Sequence, residues 1–320
     1  MHPILEEIGK IGIVPVIKID DVEKAVPLAR ALVAGGIPCA EVTFRTKEGE
    51  EAIRRIAREL PQVLLGAGTI TTQEQVDQAI AAGAKFIVSP GLNPKIVAYA
   101  CKKGIPITPG CSNPSDIEAA LEFGLDLVKF FPAEQAGGLD YIKAIAAPYT
   151  NVKFMPTGGI NAGNITTYLA FEKIHACGGS WMVNAALLDA GDFDNITALC
   201  KEAVNTVLGF ELKHIGINEA GDEAAARSAA LLAKLFGFPV KDGSSSVFAG
   251  SHIEIMKQAG LGKHGHIAIG VNSVVRAMAH FERQGVQFNQ ETLRKDAKGK
   301  PFFIYFKDEI SGFAIHLIQK

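Results

Sequence analysis

The feature that most constrains this chain is a beat. From Ile11 to about Phe210, short β-rich runs alternate with amphipathic stretches in an unbroken series. "GIVPVIKI" is followed by a helical segment with Val22, Val26, Ala29 and Val33 on one face, stopped at Gly35 and Gly36. "CAEVTF", "VLLGAG", "AKFIVSPG", "IPITPG", "LDLVKFFP", "VKFMPTGG" and "IHACGGSWM" each open a further unit, and Thr71 with Glu74 reads as a capping box for the third helix. That makes eight βα units in about 200 residues, the count and size of a (β/α)8 TIM barrel within the α/β class. An open doubly wound sheet would want a glycine-rich fingerprint after its first strand, and "GIVPVIKI" has none.

After Phe210 the texture changes. Six of the eight histidines fall there, and two segments echo one another: "HIGIN" with a helix and a closing strand "SHIEIMK", then "HIAIGV" with a helix and a closing strand "GFAIHLIQ". The pattern predicts a barrel over residues 1–210 and a smaller α+β domain of paired βαβββ modules over 211–320.

Composition excludes several classes. A net charge of -2 leaves no basic footprint for nucleic acid, and no run approaches the roughly 20 apolar residues a membrane span needs. Cys39, Cys101, Cys111, Cys177 and Cys200 show neither C-x-x-C pairs nor a short-spaced framework. A cytoplasmic protein is expected, without nucleic-acid or membrane partners.

In (β/α)8 barrels the chemistry sits where strands end, which singles out Lys129 in "DLVKFFPAE". A lysine inside an apolar run is either paired across the barrel or held neutral as a nucleophilic amine suited to a carbonyl substrate, because burial disfavours the ammonium. Lys153, in the parallel run "VKFMP", falls near its strand's start. Alternation along "CAEVTFRT" puts Glu41, Thr43 and Arg45 on one face. Glu41 can shuttle a proton and Arg45 can grip a carboxylate, or the two can simply form an internal salt bridge. Thr69 ends the next strand, either facing that carboxylate or serving as a helix N-cap. "PTGGI" after strand seven and "CGGSW" after strand eight place paired glycines at the two loops where such barrels bind phosphate.

"VPVI", "EVTFRT", "GAGT", "SPGLNP", "PGCSNPSD", "VKFFPAE", "PTGGI" and "GGSWM", in that order, make Ile4 to Leu208 resemble the 2-keto-3-deoxy-6-phosphogluconate (KDPG) / 4-hydroxy-2-oxoglutarate aldolase family, whose members are class I lyases. The resemblance implies Lys129 as the Schiff-base lysine, Glu41 as the proton-transfer carboxylate, and Arg45 and Thr69 as pyruvate-binding residues. It places Gly158, Gly159 and Ser180 at the substrate phosphate and implies a phosphorylated keto acid as substrate, no cofactor, no metal in the barrel, and a homotrimer. Rival readings are a phosphosugar epimerase or synthase on the same barrel, and a catalytically silent phosphate-binding barrel with a ligand-binding second domain.

The region from 211 onward resembles the glyoxalase, or vicinal oxygen chelate, fold. Matched residue by residue, that resemblance puts metal-ligand positions at His214, Glu254, His266 and His316, a set able to hold zinc, nickel or iron. Histidine at 316 departs from the usual glutamate.

Overall fold

The computed structural model describes residues 1–320, which form two compact units, Met1–Val207 and Leu208–Lys320. The division falls at the end of the helix Phe193–Leu208, within three residues of the boundary at 210 expected from the sequence.

The N-terminal unit is α/β, with eight parallel strands: β1 (Ile13–Ile17), β2 (Cys39–Thr43), β3 (Leu64–Gly68), β4 (Phe86–Val88), β5 (Ile107–Thr108), β6 (Leu127–Phe130), β7 (Lys153–Pro156) and β8 (Cys177–Gly179). Pairing runs β5-β4-β3-β2-β1-β8, with β6 beside β7. Single bridges, Gly110 to Lys129 and Thr157 to Gly178, join the two sets. Each strand therefore neighbours the next, and the eighth returns to the first, curling the sheet on itself. A curled sheet leaves no open edge to manage.

Between most strands lies a helix whose ends are set locally. Asn93 and Asn113 cap the helices Pro94–Lys102 and Pro114–Glu122, each with proline in the first turn, and Gly83 in the left-handed region ends Gln73–Ala82. The capping box sits one residue later than the sequence suggests: Thr72 caps and Gln75 reaches back, whereas Glu74 does not. Both frames satisfy the Thr-x-x-Glu/Gln pattern, so composition could not choose between them. Sequence reading also missed the opening helix Pro3–Ile11, which buries Leu5 and Ile8. Its signals were present: Pro3 at the first turn, Leu5 and Ile8 on one face, and Gly12 at φ +82° past the end.

Leu5 and Ile8 pack with Val14, Cys39, Phe86, Val88, Leu127, Met155 and Ala176, all buried, as one apolar cluster drawn from five strands and the residue before β8. Phe86 is fully buried, a contribution of about 2–3 kcal/mol. Its ring fits only because Gly66 on β3 has no side chain: a Cβ there would lie 2.2 Å from the Phe86 ring. Gly66→Ala should therefore destabilise the unit by about 1–3 kcal/mol through overpacking, read as a lower urea midpoint at unchanged slope.

The C-terminal unit holds one eight-stranded sheet made of two like blocks. In the first, β9 (Glu211–Asn218) leads through the helix Asp222–Phe236 to β10 (Val240–Asp242), β11 (Ser246–Ala249) and β12 (Ile253–Met256). In the second, β13 (Gly265–Val271) leads through Val274–Arg283 to β14 (Phe288–Lys295), β15 (Pro301–Phe306) and β16 (Phe313–Gln319). The order β10-β11-β12-β9-β13-β16-β15-β14 is symmetric: each block's first strand pairs parallel with its last, and β9 joins β13 antiparallel at the centre. No helix of the chain is long and apolar enough to cross a membrane.

Candidate active site

Lys129 is the third residue of β6 and only 5% exposed. Its backbone is fixed on both sides, its N–H donating to Pro109 O (2.9 Å) and its carbonyl accepting from Cys111 N (2.8 Å). The ammonium Nζ lies 3.7 Å from Glu41 Oε1 and 5.0 Å from the centre of the Phe131 ring. Glu41, on β2, is 1% exposed. The pairing alternative for the lysine is thus realised, and its partner is the carboxylate singled out for proton transfer. No bridge joins Glu41 to Arg45.

Glu41 is seated by a missing atom. Gly68 on the adjoining β3 faces it, and a Cβ there would come within 2.2 Å of Oε1. The other carboxylate oxygen, Oε2, is buried with no hydrogen-bond partner, as are the hydroxyls of Thr108 at the end of β5 and Thr157 just past β7. Buried oxygens of this kind are rare and suit a guest that brings its own donors or acceptors. Sequence reading had not singled out Thr108 or Thr157; a hydroxyl late in an otherwise apolar strand was the available signal.

The strand β2 stops at Thr43, so alternation does not carry through to Arg45. Thr43 is buried and donates to Ile17 O at 3.0 Å, a structural bond. Arg45 lies in the turn beyond, exposed, with its Nε 3.4 Å from Thr69 Oγ1. Thr69 sits past the end of β3 at φ +61°, a conformation uncommon without glycine. The N-cap of the following helix is Thr72, which leaves the Thr69 hydroxyl to Arg45.

Gly158 and Gly159 follow β7 at φ +101° and +80°. A Cβ on Gly159 would strike Glu134 Cγ at 2.4 Å, so only glycine lets this loop lie against the one after β6. The two loops are further tied by Ala133 N to Thr157 O (2.8 Å) and Glu134 N to Gly158 O (3.1 Å), while Tyr168 donates to the Glu134 carboxylate. Ser180 is exposed two residues beyond Gly178, whose bridge to Thr157 brings the loops after β7 and β8 side by side. Lys153 is exposed at the start of β7 and takes no part. Cys111, whose backbone N–H donates to Lys129 O, is no rival nucleophile: burial pushes its thiol up to about 12.

The family model for KDPG and KHG aldolases matches residues 4–199. This chain belongs to that aldolase family. Among its relatives, the 2-dehydro-3-deoxy-phosphogluconate aldolase of Treponema pallidum is 52% identical over 207 residues, covering 65% of this chain and 99% of that protein. The KHG/KDPG aldolase of Escherichia coli K12 is 46% identical, with 60% and 90% covered. Among solved structures, the KDPG aldolase of Legionella pneumophila, with pyruvate captured at low pH as a covalent carbinolamine intermediate, superposes at a TM-score of 0.61 with 38% identity, covering 62% of this chain and 97% of that one. The Zymomonas mobilis enzyme with 3-phosphoglycerate gives 0.59 at 41% identity, covering 62% and 94%.

Outside the aldolase region, the C-terminal unit gathers the four metal-ligand candidates. Glu254 on β12 places Oε2 3.1 Å from His214 Nε2 and 3.2 Å from His266 Nε2, and the two imidazole nitrogens are 3.1 Å apart. His316 on β16 completes a group of three histidines whose ligand atoms all lie within 4.8 Å of one another. Ser246, missed in the sequence, donates to Glu254 Oε1 at 2.6 Å and so leaves Oε2 for the histidines. Gly216 separates Glu254 from His266 across the sheet, and a Cβ there would meet the His266 ring at 2.1 Å.

Burial opposes the Glu254 charge, yet hydrogen bonds from His214, His266 and Ser246 outweigh it and hold the carboxyl below its ordinary range. Burial first, and then the neighbouring His266 and His214, push His316 down to about 3. A neutral imidazole keeps a lone pair to offer, and His316 Nδ1 is buried without a partner. An ionised carboxylate converging with three imidazoles fits a divalent cation.

Breaking the Lys129–Glu41 pair from one side should leave a buried charge alone. Lys129→Met and Glu41→Gln are each expected to cost about 3 kcal/mol or more. The double variant should lose clearly less than the sum of the two, a coupling measurable by urea denaturation of all four proteins.

Proposed function

We propose that the chain is a class I aldolase that cleaves 2-keto-3-deoxy-6-phosphogluconate to pyruvate and glyceraldehyde 3-phosphate, with 4-hydroxy-2-oxoglutarate, split to pyruvate and glyoxylate, as a second substrate. The curled parallel sheet is read as a (β/α)8 barrel, and Lys129, buried on it beside a carboxylate, carries the proposal. Lys129 gives a proton to Glu41, the freed amine adds to the C2 carbonyl, and Glu41 returns the proton to the departing hydroxyl, so that water leaves and an iminium forms. The C3–C4 bond then breaks; its electron pair flows into the iminium, and the C4 hydroxyl gives its proton to Glu41 as the aldehyde forms. The enamine that remains is protonated at C3 by Glu41, and water hydrolyses the imine to pyruvate and free amine. The closeness of Glu41 to Nζ suits both transfers.

Arg45 and Thr69, adjacent beyond the strand ends, are assigned to the pyruvate carboxylate, which a guanidinium holds through a fork of two N–H groups. The Gly158–Gly159 loop and Ser180 are assigned to the phosphate, with backbone N–H groups as donors. A homotrimer in the cytoplasm is the matching assembly and setting. With the relatives named as aldolases, a catalytically silent phosphate-binding barrel is not favoured.

For the C-terminal unit we read a vicinal-oxygen-chelate-like module in which His214, Glu254, His266 and His316 hold a divalent metal. Such an ion would polarise an oxygen of whatever ligand reaches it.

Incubation with pyruvate and borohydride should add the mass of a reduced pyruvate imine at Lys129. Peptide mapping without that adduct, or with it on Lys153, would overturn the assignment. Protein purified without a histidine tag should carry about one divalent ion per chain by elemental analysis, and His316→Ala should weaken that binding by on the order of 100-fold.

A further inference from the structure

The two flanks of the histidine–glutamate cluster differ. On one flank, Glu254 on β12 accepts a hydrogen bond from Ser246 on β11. On the other, β15 lies beside β16 and pairs Tyr305 directly with His316. The Tyr305 ring centre is 4.9 Å from that of His316, and Phe303, on the same face two residues earlier, is 4.5 Å from it. Neither aromatic side chain supplies a ligand atom to the cluster, and the Tyr305 hydroxyl makes no hydrogen bond within the chain.

Above Phe303 stands a cation. The Arg294 guanidinium lies 4.9 Å from the Phe303 ring centre, is solvent-facing, and has no carboxylate partner. Its position is built rather than incidental, because the β14–β15 register breaks on both sides of it: Asn289 pairs Tyr305, Arg294 pairs Phe303, and Lys295 pairs Pro301. The extra residues of β14 are held by Thr292, whose hydroxyl donates to Asn289 O (2.7 Å) and accepts from Tyr305 N (3.0 Å). Bulges of this kind re-aim side chains beside functional sites. The first block has no counterpart, since β11 carries Phe248 on the Glu254 flank with no arginine over it.

We propose that the C-terminal unit is a binding site for a small carboxylate of three to six carbons, its carboxylate received by Arg294 and the Tyr305 hydroxyl and a second oxygen function lying on the metal. The inference rests on the metal reading of the cluster given above. Three observations carry it: an arginine without an anion, a phenol without a partner, and an aromatic floor, Phe303, that touches both the arginine and a ligand histidine. Through Phe303 the guanidinium is two ring contacts, 4.9 and 4.5 Å, from a ligand-candidate histidine, a spacing that suits a short acid. A planar guanidinium takes a carboxylate through two parallel hydrogen bonds, and stacking on a ring keeps that plane oriented. The charges agree, since the cluster with its ion and Arg294 together are net positive. The occupant is thus of the class the N-terminal unit handles, short oxygenated acids.

The test uses the full chain loaded with cobalt(II) and titrated with lactate, a hydroxy acid that cannot form an imine at Lys129. Lactate should change the cobalt d–d absorption saturably. Arg294→Gln should weaken that response by on the order of 10-fold to 100-fold at unchanged cobalt stoichiometry, with Tyr305→Phe weakening it less. Cobalt that binds but ignores lactate, or answers it equally in Arg294→Gln, overturns this proposal and leaves the metal reading standing. Inorganic phosphate producing the same response at the same concentrations overturns the choice of a carboxylate. Failure to bind cobalt overturns the metal reading and this proposal together.

Discussion

An ammonium and a carboxylate are kept dry together between two strands of a curled sheet, and the architecture of the N-terminal unit serves that pair. Removing either charge from water is expensive, and their mutual attraction offsets the cost only if neighbours leave them no alternative geometry. Here Lys129 is pinned through its backbone to the segment after β5 and covered by Phe131. Glu41 is seated against a glycine that cannot be enlarged. Below the pair lies an apolar cluster closed by the helix Pro3–Ile11. Beyond it come only glycine loops, threonine hydroxyls and an exposed arginine. The gradient from grease to unsatisfied oxygen runs along the strands, and chemistry occupies its upper end.

The beat of the sequence was enough to place eight strands, and an apolar run was enough to mark Lys129 as a buried lysine in need of a partner. What escaped was whatever depends on neighbours distant in sequence. Glu41 could be read as a partner for Arg45 because they are four residues apart, but β2 ends between them and Lys129 reaches Glu41 from across the unit. The Thr72 cap competes with Thr71 by a single residue, a choice made by local backbone geometry rather than residue type. Thr108 and Thr157 look like ordinary strand residues until their lack of partners is seen.

The C-terminal unit was legible for a different reason: duplication writes the same short phrase twice, so the strands of one block can be matched to those of the other. Its supporting parts do not repeat. Ser246 orients Glu254 in one block, and the irregular β14 presents Arg294 in the other. Hydrogen bonds that steer a ligand, and a register break that aims a guanidinium, leave no pattern along the chain.

The parallel pairing of first strand with last has a consequence for biosynthesis. In the second block β13 can pair β9 at once but cannot acquire its second neighbour until Phe313–Gln319 has been made, and that closing strand also brings His316 to the other three groups. During translation that side of β13 stays unpaired, and the quartet incomplete, until the closing strand has been synthesised. Any ion that settles there arrives as a final fastening rather than as a seed around which the sheet grows.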